Sequence, residues 1–327
     1  IDFKDNTKGS LLLEPSRSNL VNYSNDISQS FNAQDIIETQ NYGVAPNGNN
    51  ESTRVQITSS TSHYWKNYSL VNGSQYTASF YYKGIKGEKT YIRTITVGGG
   101  SGSSKLITFN GNWQREELTF TAGSSVNYIY ITDNRTGGDN TATDFEVWGG
   151  QLEQGSYATS YIPTSGSAVT RVGDNSSQTV PDGVIGQTEG TVFLDTKMAL
   201  QSINNYQLFS INNGGSSDRI RILTATGNRL RFIYQLDGGS TAYSFYNPTD
   251  YGSLTSLKIA FTYKSGDIKV YINGVLVDSS TNTFTIAEKL VNIDIATSAG
   301  GYSQMFFNDV KLYNTALTDQ ELIALTQ

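Results

Sequence analysis

The 327 residues include no cysteine. Disulfide frameworks, thiolate zinc sites and cysteine nucleophiles are therefore excluded. Small exported scaffolds are usually stapled by disulfides, so ordinary export is not suggested. Histidine occurs once, as His63, and a Ser–His–Asp site would have to use it. Its neighbours Ser62-His63-Tyr64-Trp65-Lys66 supply no nucleophile at a recognisable spacing, and no Gly-x-Ser-x-Gly elbow is present. His63 reads as a packed or surface residue. Charged residues are only 16% of the chain and the net charge is −6. Nucleic acid and anionic lipid reward basic surfaces, so neither is an expected partner. No apolar run is long enough to enter a membrane and span it. The chain begins at Ile1 rather than Met, without a visible signal peptide, and no targeting is read from it.

What is abundant is Tyr, at 21, and Gly, at 32. With many Ser, Thr and Asn, this composition suits strands and frequent turns. Polar and apolar residues alternate through Thr53-Arg54-Val55-Gln56-Ile57. In Tyr76-Thr77-Ala78-Ser79-Phe80-Tyr81-Tyr82 the residues Tyr76, Ala78, Phe80 and Tyr82 share a face. The pattern continues at 91–97, 113–120 and 127–132, and Phe145, Val147 and Trp148 fit a last core strand that Gly149 and Gly150 follow. After Pro163 the pattern stops, and 165–178 has linker composition. A second series follows at 191–196, 207–211, 219–223, 230–236, 257–263, 267–272, 275–277, 291–295 and 306–312, with hairpin turns at Lys264-Ser265-Gly266-Asp267 and Asn273-Gly274. Thr318-Asp319-Gln320-Glu321 is a capping box, with Leu317 and Leu322 placed as a hydrophobic staple, for a short C-terminal helix lying as a lid on a sheet edge.

The expected fold class is all-β: two antiparallel β-sandwich (jelly-roll) domains in tandem, with a short C-terminal helix. The first covers 1–164, a linker 165–185, and the second 186–327. Four motifs occur in order in the first half: Leu11-Leu12-Leu13-Glu14-Pro15-Ser16-Arg17-Ser18-Asn19-Leu20, Trp113-Gln114-Arg115, Gly150-Gln151-Leu152-Glu153 and Tyr161-Ile162-Pro163-Thr164. Together they resemble a module of bacteriophage tail and other virion proteins that is similar to carbohydrate-binding jelly rolls. The second half resembles the concanavalin A-like lectin/glucanase superfamily, of the laminin G-like kind, through residues 257–263, Val270-Tyr271-Ile272-Asn273-Gly274 and residues 310–325. The resemblance implies a non-catalytic virion protein on the exterior of a phage particle, a tail fibre or decoration. Its partners would be host-surface polysaccharide or glycan and other virion proteins, and it would be a homo-oligomer. A purely structural spacer and a polysaccharide depolymerase are the alternatives, because both folds host all three roles.

Glucanases of the second fold carry Glu-x-Asp-x-x-Glu on one strand, and this chain has no such spacing. Asp144 and Glu146 share a strand face in the first half and read as a solvated outer face, so no catalytic residue is assigned. Residues 97–102 read as a hairpin loop, since a phosphate loop needs Gly-Lys-Ser/Thr and a helix. No cofactor is expected. Metal ligation is left open. Asp133, Asn134, Asp139, Asn140 and Asp144 form an oxygen-rich stretch of a kind that can hold calcium, whereas Gly149-Gly150 stands where related modules place a calcium-binding Asp pair. Sugars present apolar C–H faces edged by hydroxyls, so glycan sites combine aromatics with amide and carboxylate partners. The candidates are Tyr64 and Trp65 in the first half, and Tyr243, Tyr246, Asn247, Asp250, Tyr251 and Tyr302 in the second. Trp113 and Trp148 are expected in the core. Tyr243 and Phe245 are expected on the core face of their strand, and Tyr246 on the other.

Overall fold

The computed structural model describes residues 9–136, 139–174, 176–199, 205–215, 217–236, 240–295 and 305–327. The chain divides into two compact units. One is Arg17–Arg171, and the other joins Ile1–Ser16 to Val172–Gln327. This differs from the partition at 164 and 185 read from the sequence. Leu11–Leu13 pairs antiparallel with Met305–Tyr313 and so completes the second unit. Within 165–185, Val169–Arg171 pairs with Arg17–Asn19, and Ser176–Thr179 pairs with Asn292–Ile295. Strands of three or four residues are held by backbone hydrogen bonds and are too short to show an alternating pattern.

In the first unit two five-stranded sheets pack face to face. One has the order Gln114–Thr121, Gln75–Gly84, Asp144–Gln154, Thr53–Ile57, Ile36–Thr39. The other runs Asn32–Gln34, His63–Tyr68, Asn127–Asp133, Lys89–Thr96, Ser104–Thr108. Neighbours distant in sequence make this a jelly-roll arrangement. Tyr76, Ala78, Phe80 and Tyr82 are all buried on one face, as the alternation requires, against Tyr64, Ile92, Phe109, Ile129 and Phe145.

The second unit has two six-stranded sheets. One contains Leu11–Leu13, Met305–Tyr313, Glu189–Ala199, Ser253–Lys264, Ile268–Ile272 and Val275–Ser280. The other contains Ser176–Thr179, Asn292–Ile295, Gln207–Asn212, Arg219–Ala225, Arg229–Gln235 and Thr241–Tyr246. Their facing sides bury Val192, Leu194, Phe209, Ile220, Phe232, Tyr234, Ile259 and Phe261. The turn at Asn273-Gly274 has positive φ at both positions, 49° and 80°, as a two-residue hairpin with this dipeptide requires. The helix Asp319–Thr326 begins with the expected capping box, Thr318 and Glu321 exchanging hydrogen bonds. It does not lie on a sheet edge. Leu322 packs on Ala260 and Tyr271, so the helix covers the outer face of the first six-stranded sheet.

Candidate functional site

The strand Asp144–Gln154 builds the first unit's outer face. Asp144, Glu146 and Trp148 point outward while Phe145 and Val147 enter the core. At Gly149 and Gly150 the register with Gln75–Gly84 shifts. Gly149 has φ 66°, and a Cβ on it would lie 2.8 Å from the Tyr81 ring. On Gly150 a Cβ would lie 2.6 Å from Ile27 Cδ1. Two glycines therefore let the strand bulge and the backbone pass close.

Beyond the bulge the chain folds back over the sheet's outer face. Tyr161 packs on Trp148 with ring centroids 4.5 Å apart, and its hydroxyl bonds Ser24 at 2.6 Å and also Asn25. Burial pushes that hydroxyl's pKa up to about 12. Asn19 Nδ2 donates to the carbonyls of Gly150 (3.0 Å) and Ile162 (2.9 Å), while its Oδ1 accepts from the backbone N–H of Val21 and Leu152. Gln151 Nε2 donates to Glu153 (2.7 Å), and Glu153 also accepts from the Thr159 N–H and hydroxyl. Arg115 Nη1 donates to the Thr159 carbonyl at 2.7 Å. The four motifs read from the sequence thus converge in one buried polar network.

The other half of that outer face stays open. Tyr42, Lys83, Gly84, Ile85, Gly111, Asp144, Phe145 and Glu146 line a cavity of about 240 Å³. Arg54 Nε donates to Asp144 at 2.9 Å, and the Arg54 guanidinium sits 4.7 Å over the ring of Tyr42, which is 48% exposed. Lys83 pairs with Glu146 at 2.9 Å and lies 5.8 Å over the Trp113 ring. Ser52 donates to Glu146 at 2.6 Å, and Trp113 Nε1 donates to the Val44 carbonyl at 2.9 Å. Both carboxylates have cationic partners, so the groove offers aromatic faces and paired donors and acceptors rather than a free acid and base. Trp113, expected in the core, is only half-buried here. Trp148 is buried, but under Tyr161 on the outer face. Sequence reasoning missed Tyr42 because it sits between strands, where no alternation marks it.

In the oxygen-rich stretch, Asp133, Asn134, Asn140 and Asp144 are engaged by protein groups. Asp133 is buried between Arg135 (2.8 Å) and Arg93 (3.1 Å). Burial alone would raise its carboxyl pKa, but the two guanidiniums outweigh it and hold it below the usual value. Asp144 is taken by Arg54, and Asn140 donates to Asn134 at 2.6 Å. Among the described residues no three His, Asp or Glu side chains come together.

Of the aromatic candidates in the first unit, Tyr64 is fully buried beside Phe31 and presents nothing to a ligand. Trp65 is half-exposed on the outer face of the other sheet, with His63 stacked at 4.5 Å. In the second unit, Tyr243 is buried and hydrogen-bonds Asp278 at 2.5 Å. Asn247 is buried and donates to the Tyr251 hydroxyl at 2.7 Å. Burial excludes Tyr64, Tyr243 and Asn247 as direct contacts. Tyr246 is 51% exposed, as alternation from the core-side Tyr243 and Phe245 required. Asp250 is exposed but accepts from the Gly252 N–H, and Tyr251 is half-buried against the core. Tyr302 lies outside the described residues. The sheet carrying Tyr246 presents Arg219, Arg221 and Arg231 on the same outer face.

Residues 172–323 match the concanavalin A-like lectin/glucanases superfamily. The second half of the chain is thus a lectin/glucanase-like, laminin G-like sandwich, as its strand motifs implied. No curated protein matches the chain. Similar solved structures include the binding domain of botulinum neurotoxin DC in complex with rat synaptotagmin II, at 16% identity and TM-score 0.39, covering 47% of this chain and 40% of that one. A second is the binding domain of botulinum neurotoxin serotype D, with the same identity, TM-score and coverage. A third, described under cell entry of botulinum neurotoxin type C dependent on two ganglioside molecules, has 15% identity and TM-score 0.40, with 47% of this chain and 39% of that one covered. The chain thus spans about 40% of the length of these proteins.

Proposed function

We propose that the protein binds glycans without cleaving them, and that the groove of the first unit is a saccharide site. The observation that carries this reading is a cavity of about 240 Å³ lined by the half-exposed Tyr42 together with Lys83, Asp144 and Glu146, with Arg54 paired to Asp144 and Trp113 against Lys83. Aromatic faces suit sugar C–H surfaces, and the ion-paired groups offer donors and acceptors to hydroxyls at no net charge. The lectin-like sandwich of residues 172–323 supports the same class of function. The finer reading is attachment of a virion's exterior to host-surface glycans, with many copies raising effective concentration; it rests on the order of the four motifs in the first half.

The test is Tyr42→Ala, measured by calorimetry against a glycan the intact chain retains. Tyr42 is half exposed, so the fold should survive. Removing a stacking aromatic should weaken binding by about 1–3 kcal/mol, by analogy with interface anchors. An unchanged affinity would remove the groove from the account. New reducing ends released from the bound glycan would favour the depolymerase alternative instead.

A further inference from the structure

The strands Arg219–Ala225 and Arg229–Gln235 pair so that Arg219 faces Gln235, Arg221 faces Ile233 and Leu223 faces Arg231. The intervening Ile220, Ile222, Phe232 and Tyr234 are buried in the core. All three arginines therefore project from the side turned away from it; Arg219 and Arg221 are two residues apart on one strand, and Arg221 and Arg231 are diagonal neighbours about 7–8 Å apart at Cα. Arg219 Nη2 and Arg221 Nη2 donate to one and the same atom, Gln235 Oε1, at 2.9 and 3.0 Å. Arg231 donates to Ser244 Oγ and Asn205 Oδ1, each at 3.2 Å, and lies 4.4 Å over the exposed Tyr246 ring. Every one of these acceptors is neutral. The Nε atoms of Arg219 and Arg221 are buried without a hydrogen-bond partner.

We propose that this face, centred on Arg219, Arg221 and Arg231, binds an acidic saccharide through its carboxylate. Two guanidiniums that share one neutral oxygen, each with an unfilled buried N–H, and a third beside Arg221 are held against their own repulsion, an arrangement an anion would relieve. Burial, then the neighbouring Arg219 and Arg231, lower the Arg221 pKa to about 10, in line with this crowding. A planar fork matches a carboxylate with two parallel hydrogen bonds. The exposed Ser244 and Asn205 beside it suit sugar hydroxyls. Asp294 shares this face through its pairing with Ser210 and its charge acts on Arg219, so the carboxylate is placed at Arg221 and Arg231. The site is separate from the groove of the first unit and stands or falls independently of it.

The full chain is titrated with polygalacturonate, dextran sulfate, neutral dextran and a single-stranded DNA oligonucleotide, at low and high salt. Polygalacturonate should bind in preference to the other three and weaken as salt rises. Arg221→Met and Arg231→Gln should each lose roughly tenfold to a hundredfold in affinity, as expected for a charged hydrogen bond. Lys311→Gln removes the same charge from the other sheet and should leave binding unchanged. Arg221→Met should melt no lower than the parent, since it deletes a crowded cation; a role confined to holding the sheet together would lower it. Should Arg221→Met not fold, Arg231→Gln carries the test. Binding of polygalacturonate that is absent, that is unchanged from the parent in both arginine variants, or that is exceeded by binding of dextran sulfate or DNA overturns the proposal.

Discussion

Asn19→Ala should destabilise the first unit by about 3–5 kcal/mol, among the largest effects of any single polar substitution in this chain. Asn19 is fully buried and makes four hydrogen bonds, two donated to the Gly150 and Ile162 carbonyls and two accepted from the Val21 and Leu152 N–H groups. Alanine leaves all four backbone groups without that partner, and each orphaned buried group costs roughly 1–3 kcal/mol before relaxation. The segment ending in Tyr161-Ile162 would come loose from the sheet, uncovering Trp148. A unit of this size loses about 2–4 °C per kcal/mol, so the melting midpoint should fall by roughly 10 °C. Thr170→Ala is the contrast. It breaks the exposed Ser18–Thr170 hydroxyl pair at 2.6 Å and should change stability by no more than about 0.5 kcal/mol. Equal melting of the two variants would show that the network adds nothing to the fold.

Cutting the chain once between Arg171 and Val172, where the two units meet in sequence, should destabilise the second unit, although none of its own contacts within 172–327 is touched. The reason is connectivity. Leu11–Leu13 belongs to the second unit's sheet, with Leu13 buried in its core, Ser10 donating to Asn308 at 2.6 Å and the Glu14 N–H donating to Asp174 at 2.9 Å. Losing a buried leucine costs about 2–5 kcal/mol, and the strand's hydrogen bonds add to that, so about 4 kcal/mol is at stake. Once cut, the strand must bind as a separate piece, and 4 kcal/mol corresponds to a Kd near 1 mM. At micromolar protein it dissociates, leaving Met305–Tyr313 as an open edge. Scanning calorimetry before and after the cut reads this directly. A second unit that melts identically in cut and uncut protein would show that the strand contributes nothing. Leu13→Ala in the intact chain should reproduce part of the loss, about 2–4 kcal/mol.

The sandwich core was legible because alternation is a local signal. Tyr76, Ala78, Phe80 and Tyr82 could be assigned to one face without knowing what they meet, and so could Tyr243 and Phe245 opposite Tyr246. The path of the chain was not legible in the same way. Leu11-Leu12-Leu13 reads as the start of whatever follows it, and only its pairing with Met305–Tyr313 assigns it to the other unit. The glycan candidates show the same division. Tyr64 and Asn247 were chosen for their chemistry, and burial, which depends on partners distant in sequence, removed them. Tyr42 reaches Arg54 and Asp144 only through the fold, so nothing adjacent in the chain marks it. The four ordered motifs are recognisable as a set, but their physical reason, one network through Asn19, Arg115, Gln151 and Ile162, needs all four in space.

Glycan binding without cleavage, as proposed for this chain, is read out by an array of immobilised glycans probed with the intact protein. Retention is expected on a restricted set of glycans, with some spots weakened by Tyr42→Ala and acidic spots weakened by Arg221→Met, and no loss of glycan from the spots on incubation. Retention on no glycan, or on all of them equally and unaffected by either substitution, would contradict it.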